Sequence, residues 1–395
     1  MRQRILTSIG VIAVITAVAL YSAAGQSPTT TAQTGPAAKT SWGDPDLQGI
    51  WASEEQVPLQ RPAKYAEKEF FTEAEIAELD KQRAAILRRD LRQERGSEED
   101  VNGAYNGFFQ SVRHTGRRTS MIIDPPDGRI PPLAPEAQKR NAAIREYRLA
   151  LLQATDACKK KTPACAGGKY GPPSPRRAEP PPYYNTGGLN RAFGPEDRSL
   201  GERCVGAVLP DFSNGQSWGS RRIVQSPRSV LIFFDVGQGQ GFYRSVPITT
   251  APHLPPSIHQ YWGDSRGRWE GNTLVVDVTN FSHKTDFNSS RENLHLVERW
   301  TRTGPNTIEY VVTIDDPTTW TKPWTATQRM TKQSDTSNRI YYEPRCHEGN
   351  YGLVGILLGA RAEERAFAHG QGPDPATRGG GGSGLGGEEN QDPLQ

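Results

Sequence analysis

Short runs of β-forming residues alternate with turn residues from Arg222 to Pro344. The runs predict strands near 222–226, 229–235, 242–248, 273–281, 294–303, 307–315, 324–331 and 339–343. Period two is clearest in 307–315. There Ile308, Tyr310, Val312 and Ile314 fall on one face, and Glu309, Thr313 and Asp315 on the other. That alternation marks a strand with one buried face. Gly237-Gln238-Gly239-Gln240-Gly241, Glu270-Gly271-Asn272 and Gly304-Pro305-Asn306 are hairpin material between the runs. Strands joined by short hairpins run antiparallel, and about eight of them are enough to close a barrel.

Upstream the period lengthens. Thr72 and Glu75 form a capping box, and Ile76, Leu79, Ile86 and Leu87 then recur at helical spacing, so a helix is predicted from Glu73 to about Arg95. Pro135 suits the first turn of a second helix, which Ala142, Ile144, Tyr147, Leu151 and Leu152 carry to about Ala157. Between them, Thr119–Ile123 and Arg129-Ile130 flank the turn sequence Asp124-Pro125-Pro126-Asp127-Gly128, which predicts a small hairpin. The expected fold class is α+β: an antiparallel barrel over most of 205–357 with a helical and irregular N-terminal region packed on it.

The ends of the chain set its compartment. Arg2 and Arg4 precede an apolar run from Ile9 to Tyr21, followed by Ser22-Ala23-Ala24-Gly25. This is the order of a cleaved secretory signal, and the run is short for a membrane span. The expected organisation is a signal peptide at 1–25, a flexible linker at 26–44 and a helical and irregular region at 45–170. A Pro-rich connector at 171–188, an antiparallel β domain at 189–361 and a disordered Gly-rich tail at 362–395 follow. No membrane span is expected after cleavage, and the protein is expected to be periplasmic or secreted.

Charge narrows the partners. Among 395 residues, Lys and Arg total 47 and Asp and Glu 44, a net charge of +3. So even a balance, with no long basic run, argues against nucleic acid. In an exported protein the four cysteines read first as disulfides. Three pairings are possible. A bridge of Cys158 to Cys165 would close a local loop and leave Cys204 with Cys346 as a long-range staple. The chain has no C-x-x-C, so no metal site is expected.

Two resemblances follow from particular strings. Gly49-Ile50-Trp51 and Gly267-Arg268-Trp269 carry the Gly-x-Trp spacing, which is similar to the first strand of lipocalin-like (calycin) barrels. The resemblance implies a Trp plugging one barrel end. The strings from Arg118 to Pro132, Gly263 to Asp277, Glu292 to Arg299 and Cys346 to Leu353 resemble an uncharacterised family of exported bacterial proteins over most of 45–361. That likeness brings no activity and no cofactor, and the Cys158–Cys165 loop looks like an insertion in it.

Candidate chemistry centres on Glu298. On an extended strand it shares a face with Leu294, Leu296 and Trp300, so it is predicted to be buried. A buried carboxylate must be paired or have a raised pKa. Arg244, alternating with Phe242, Val246 and Ile248, is the natural partner. His253 sits in a proline-stiffened loop with His259, and His347 and Glu348 follow Cys346, where a disulfide would hold them still. Trp320 and Trp324 make an aromatic cluster fit to stack on a sugar or line an apolar cavity. Gly215-Gln216-Ser217-Trp218-Gly219 matches G-x-S-x-G but lacks the strand-to-helix setting of a nucleophile elbow. The expected function is binding of a small molecule or glycan, with Arg244, Trp320, Trp324 and Glu348 as ligand contacts. The alternatives are a hydrolase or lyase using Glu298 with His253 or His347, and a structural envelope module.

Overall fold

A computed structural model describes residues 38–53, 55–87, 113–182, 189–205, 208–212, 220–237, 240–334 and 346–379. Twelve strands are found there: β1 (Gly49–Ala52), β2 (Glu55–Gln56), β3 (His114–Thr115), β4 (Ile122–Asp124), β5 (Ser220–Ser226), β6 (Ser229–Gly237), β7 (Gln240–Pro247), β8 (Asp264–Glu270), β9 (Thr273–Thr279), β10 (His295–Gly304), β11 (Thr307–Asp315) and β12 (Trp324–Lys332). The helices are α1 (Glu73–Leu87), α2 (Pro135–Leu152), the single turn α3 (Asp156–Lys159) and α4 (Tyr351–Ala368).

One sheet has ten strands, nine of them in the order β7-β6-β5-β1-β12-β11-β10-β9-β8, with β4 pairing β12 off this path. Consecutive hairpins account for β5–β7 and β8–β12, and β1 is the strand that joins the two runs, antiparallel to both β5 and β12. The ends of this order meet through a parallel bridge of Ile248 with Gly267, backed by Thr249 N–H donating to the Gly267 carbonyl at 3.0 Å. The result is a nearly closed antiparallel barrel in a chain of α+β type. Gly267 is needed at the seam. A Cβ there would lie 2.8 Å from Val246 Cγ1 and 2.9 Å from Ile248 Cδ1.

Each strand sends alternate side chains inward, as the pleat requires. Leu296, Glu298 and Trp300 from β10 face Ile308, Tyr310, Val312 and Ile314 from β11, Leu274, Val276 and Val278 from β9, and Trp324, Ala326, Gln328 and Met330 from β12, all buried. Their apolar members belong to a single core. Burying each large one stabilises the fold by about 1.5–3 kcal/mol before entropy is counted. Trp51 is fully buried in this core, its indole N–H donating to the Leu47 carbonyl at 2.8 Å, with the Arg302 guanidinium 5.9 Å above its ring.

Several expectations need revising. The segment around Asp124 is not a hairpin closed on Arg129-Ile130; β4 pairs instead with the first half of β12, at Thr325 and Ala326. This is possible because short β1 reaches only Thr331 and Lys332 of the same strand. The capping box of α1 forms, with Thr72 N–H donating to Glu75 and Glu75 N–H to the Thr72 hydroxyl. Helix α2 ends at Leu152 rather than near Ala157. Strand β8 was not expected. Nor was α4, which crosses the anticipated limit at 361. The strand expected at 339–343, the second half of the first helix, the G-x-S-x-G motif and the tail beyond Gly379 lie outside the described residues.

Both disulfides pair Cys158 with Cys165 and Cys204 with Cys346. Disulfides of this kind belong to an oxidising, non-cytoplasmic compartment. Among the described residues no helix is long and apolar enough to cross a membrane.

Candidate binding site in the barrel

Glu298 is the fixed point of the lumen. Strand β10 turns it inward between Leu296 and Trp300, and it is 0% exposed. Arg244 reaches it from β7, Nη1 lying 2.7 Å from Oε2. The other carboxylate oxygen accepts the Tyr310 hydroxyl at 2.8 Å. Arg244 also donates from Nε to the Ser265 hydroxyl on β8 at 2.9 Å, which ties β7 to β8 across the seam. A buried ion pair is tolerable only when its remaining polar atoms are also satisfied, and Tyr310 and Ser265 meet part of that need. Burial, reinforced by the neighbouring Glu298 carboxylate, pushes the Tyr310 phenol well above its ordinary pKa. It therefore stays a donor across the ordinary pH range.

The centre is not fully satisfied by protein. Arg244 Nη2, Trp300 Nε1, Trp324 Nε1 and both amide atoms of Gln328 are buried without a hydrogen-bond partner among the described residues. The strand register gathers several of them: Trp300 lies directly opposite Tyr310 on one side and Gln328 directly opposite it on the other. The ring of Trp300 packs on that of Tyr310 with centroids 4.4 Å apart. Unpartnered buried polar atoms are rare in folded proteins and call for a physical reason.

A second polar group lies on the outer face. Asp277 projects outward from β9, opposite Val297 rather than Glu298 in character of face. His253, in the loop after β7, places Nδ1 2.9 Å from Asp264 Oδ2 and Nε2 2.8 Å from Asp277 Oδ1. His295 Nε2 meets the other Asp277 oxygen at 3.1 Å. Asp264 is anchored further by Arg266 at 2.7 Å and by the Leu254 N–H at 3.1 Å. Burial alone would raise the Asp277 carboxyl, but the hydrogen bonds from His295 and His253 outweigh it and hold it below its usual range. Both contacts of His253 can be hydrogen bonds at once only if both ring nitrogens, or one of the facing carboxyls, carry a proton.

The sequence candidates therefore separate. Glu298 and Arg244 meet in the lumen, whereas His253 is bound on the outer face, so the sheet stands between it and Glu298. His347 and Glu348 lie on an exposed turn beside the Cys204–Cys346 bridge. Neither His253 nor His347 shares a hydrogen bond with Glu298 among the described residues. Trp320 and Trp324 meet edge to face at 5.6 Å and are fully buried, and Trp324 also stacks with Phe287 at 6.1 Å. His259 Nδ1–H donates to the Phe281 carbonyl at 2.8 Å. Sequence reasoning missed Tyr310 and Ser265 as partners of the pair, and missed Gln328 altogether. For Gln328 the signal was present, since it alternates with Ala326 and Met330 on the buried face of β12. Among the described residues no group of His, Cys, Asp or Glu side chains is arranged to hold a metal ion.

The class defined by these features is a nearly closed antiparallel barrel with a buried, charged and hydrogen-bonded centre. No family model and no curated protein matches the chain. Among solved structures, a secretary abundant heat soluble (SAHS) protein from Ramazzottius varieornatus is similar over 31% of this chain and 75% of its own, at 11% identity and a TM-score of 0.22.

Proposed function

We propose that the chain is an exported small-molecule-binding protein of the bacterial envelope, periplasmic or secreted, with the barrel lumen as its binding site. One observation supports this reading: buried N–H groups of Arg244, Trp300, Trp324 and Gln328, on inward positions of the barrel strands, have no hydrogen-bond acceptor among the described residues. Ligand sites are commonly apolar cavities with a few well-placed polar groups, and barrel interiors are a preferred place for them. Arg244 and Glu298 serve as polar anchors, and Trp324, with Trp320 behind it, forms an aromatic wall on which a glycan or flat ligand would stack. The signal-like N-terminus and the two disulfides support export.

Native mass spectrometry of the protein purified from its own envelope tests this. The expected result is a retained small molecule that is lost on Gln328→Met. A chain that carries no such mass and releases none on denaturation would count against lumen binding.

A second reading, acid–base catalysis, is favoured by the Asp264–His253–Asp277–His295 chain rather than by Glu298. Its outer imidazole is partly exposed and oriented by a carboxylate, the arrangement a general base needs. Turnover of any hydrolase or lyase substrate that survives Glu298→Gln but is lost in His295→Ala would select it.

A further inference from the structure

Resting on lumen binding as just proposed, we infer that the site selects neutral, planar molecules bearing carbonyl-type acceptors, over carboxylates and over plain hydrocarbons. Charge is the first reason. Arg244 and Glu298 already neutralise each other at 2.7 Å, and Tyr310 donates to the second Glu298 oxygen. Arg221, the other guanidinium turned into the barrel, is itself engaged by the Asp211 carbonyl and carboxylate and by Met330 Sγ. A ligand carboxylate would set a second anion beside Glu298 in a dry interior, where like charges are strongly disfavoured.

The donor balance is the second reason. Among the described residues, the buried atoms of β7, β10 and β12 without a hydrogen-bond partner are the N–H donors Arg244 Nη2, Trp300 Nε1, Trp324 Nε1 and Gln328 Nε2 and the acceptor Gln328 Oε1. Such a set fits a ligand with more acceptors than donors. A hydrocarbon would leave each donor desolvated and unmade, the costly outcome for a buried polar group. The Gln328 carboxamide offers a donor and an acceptor side by side, which suits an amide- or lactam-like edge.

Shape is the third. The layer holding Glu298 is otherwise lined by Val276, Val312 and Ala326, with Gly267 across from Val276. The next layer holds Leu274, Trp300, Tyr310 and Gln328. Small walls thus adjoin the packed rings of Trp300 and Tyr310, a setting for a flat ring system.

Isothermal titration of the full chain with coumarin, 2-naphthoate, decanoate and naphthalene separates the possibilities. Coumarin is expected to bind about tenfold or more tighter than 2-naphthoate and naphthalene, the difference one or two good hydrogen bonds make. Gln328→Met and Trp300→Phe are each expected to weaken coumarin about tenfold. Naphthalene should be unaffected by Trp300→Phe, and unchanged near-ultraviolet circular dichroism should show that the barrel is intact. Tighter binding of 2-naphthoate or decanoate would overturn this inference while leaving lumen binding in place. Equal binding of coumarin and naphthalene would overturn it too. No binding of coumarin would overturn this inference, while lumen binding is judged separately by the small molecule retained in native mass spectrometry.

Discussion

Two of the acid–base arrays among the described residues lie on opposite faces of one sheet. Inside, Glu298 is fully enclosed, paired with Arg244 and bonded by Tyr310. Outside, Asp277 and the two histidines that hold it are between a quarter and two-fifths exposed. The chemistry is similar, a carboxylate held by cationic or polar donors, but the surroundings differ. In the lumen each lost partner leaves a charge shut off from bulk solvent. On the outer face water and counterions replace a lost partner at little cost. The lesson is that the inner array is coupled to the fold, whereas solvent can stand in for the partners of the outer one.

The largest expected effect comes from breaking the inner pair. Glu298→Ala strands the Arg244 guanidinium and should destabilise the barrel by about 3–5 kcal/mol, read from urea denaturation midpoints. Replacing both residues, Arg244→Met with Glu298→Leu, should recover most of that loss, because an apolar pair carries no desolvation cost. Equal losses for the single and double variants would erase the contrast between the arrays.

Next is Tyr310→Phe, which removes one hydrogen bond to the buried carboxylate and should cost about 1–3 kcal/mol. It should also change the alkaline limb. Tyr310 has its pKa raised on folding by burial and by Glu298. Its neutral form therefore favours the native state fully below the unfolded value of about 10, and this contribution is lost as pH rises beyond it. Denaturation midpoints should fall more steeply above about pH 10 in the parent chain than in the variant.

The outer array should act at the acid end and more weakly. Burial raises Asp277, yet its histidine partners win and lower its pKa on folding. Its contribution is then complete above the unfolded value of about 3.9 and disappears as pH falls through the lower native value. Asp277→Asn should flatten the midpoint-versus-pH curve in that range, at a cost of about 1–2 kcal/mol at neutral pH. The smallest effect is His295→Ala, about 1 kcal/mol or less, since that side chain is the most exposed of the set.

Much of the inner array was legible from one periodicity. Alternation along 294–300 placed Glu298 on a buried face, and alternation along 242–248 placed Arg244 on another. Their pairing follows once the sheet curls round to bring β7 and β10 to one lumen. The outer array was not legible, because it needs the cross-strand position of Asp277 and the path of the His253 loop, and neither leaves a mark in local pattern. Strand β8 escaped for a related reason. Its inward positions include Ser265 and Gly267, so Asp264-Ser265-Arg266-Gly267 reads as a turn, although tertiary pairing makes it a strand. Helix α4 was hidden by Gly352, Gly355 and Gly359, which lower helix propensity.

The most direct measurement is a high-resolution crystal structure of the chain purified from its native source. Density not belonging to the protein, within hydrogen-bonding distance of Arg244 Nη2, Trp300 Nε1 or Gln328, is the result expected of a built lumen site. A lumen in which those groups bond only to one another, with Glu298 turned away from Arg244, would contradict it.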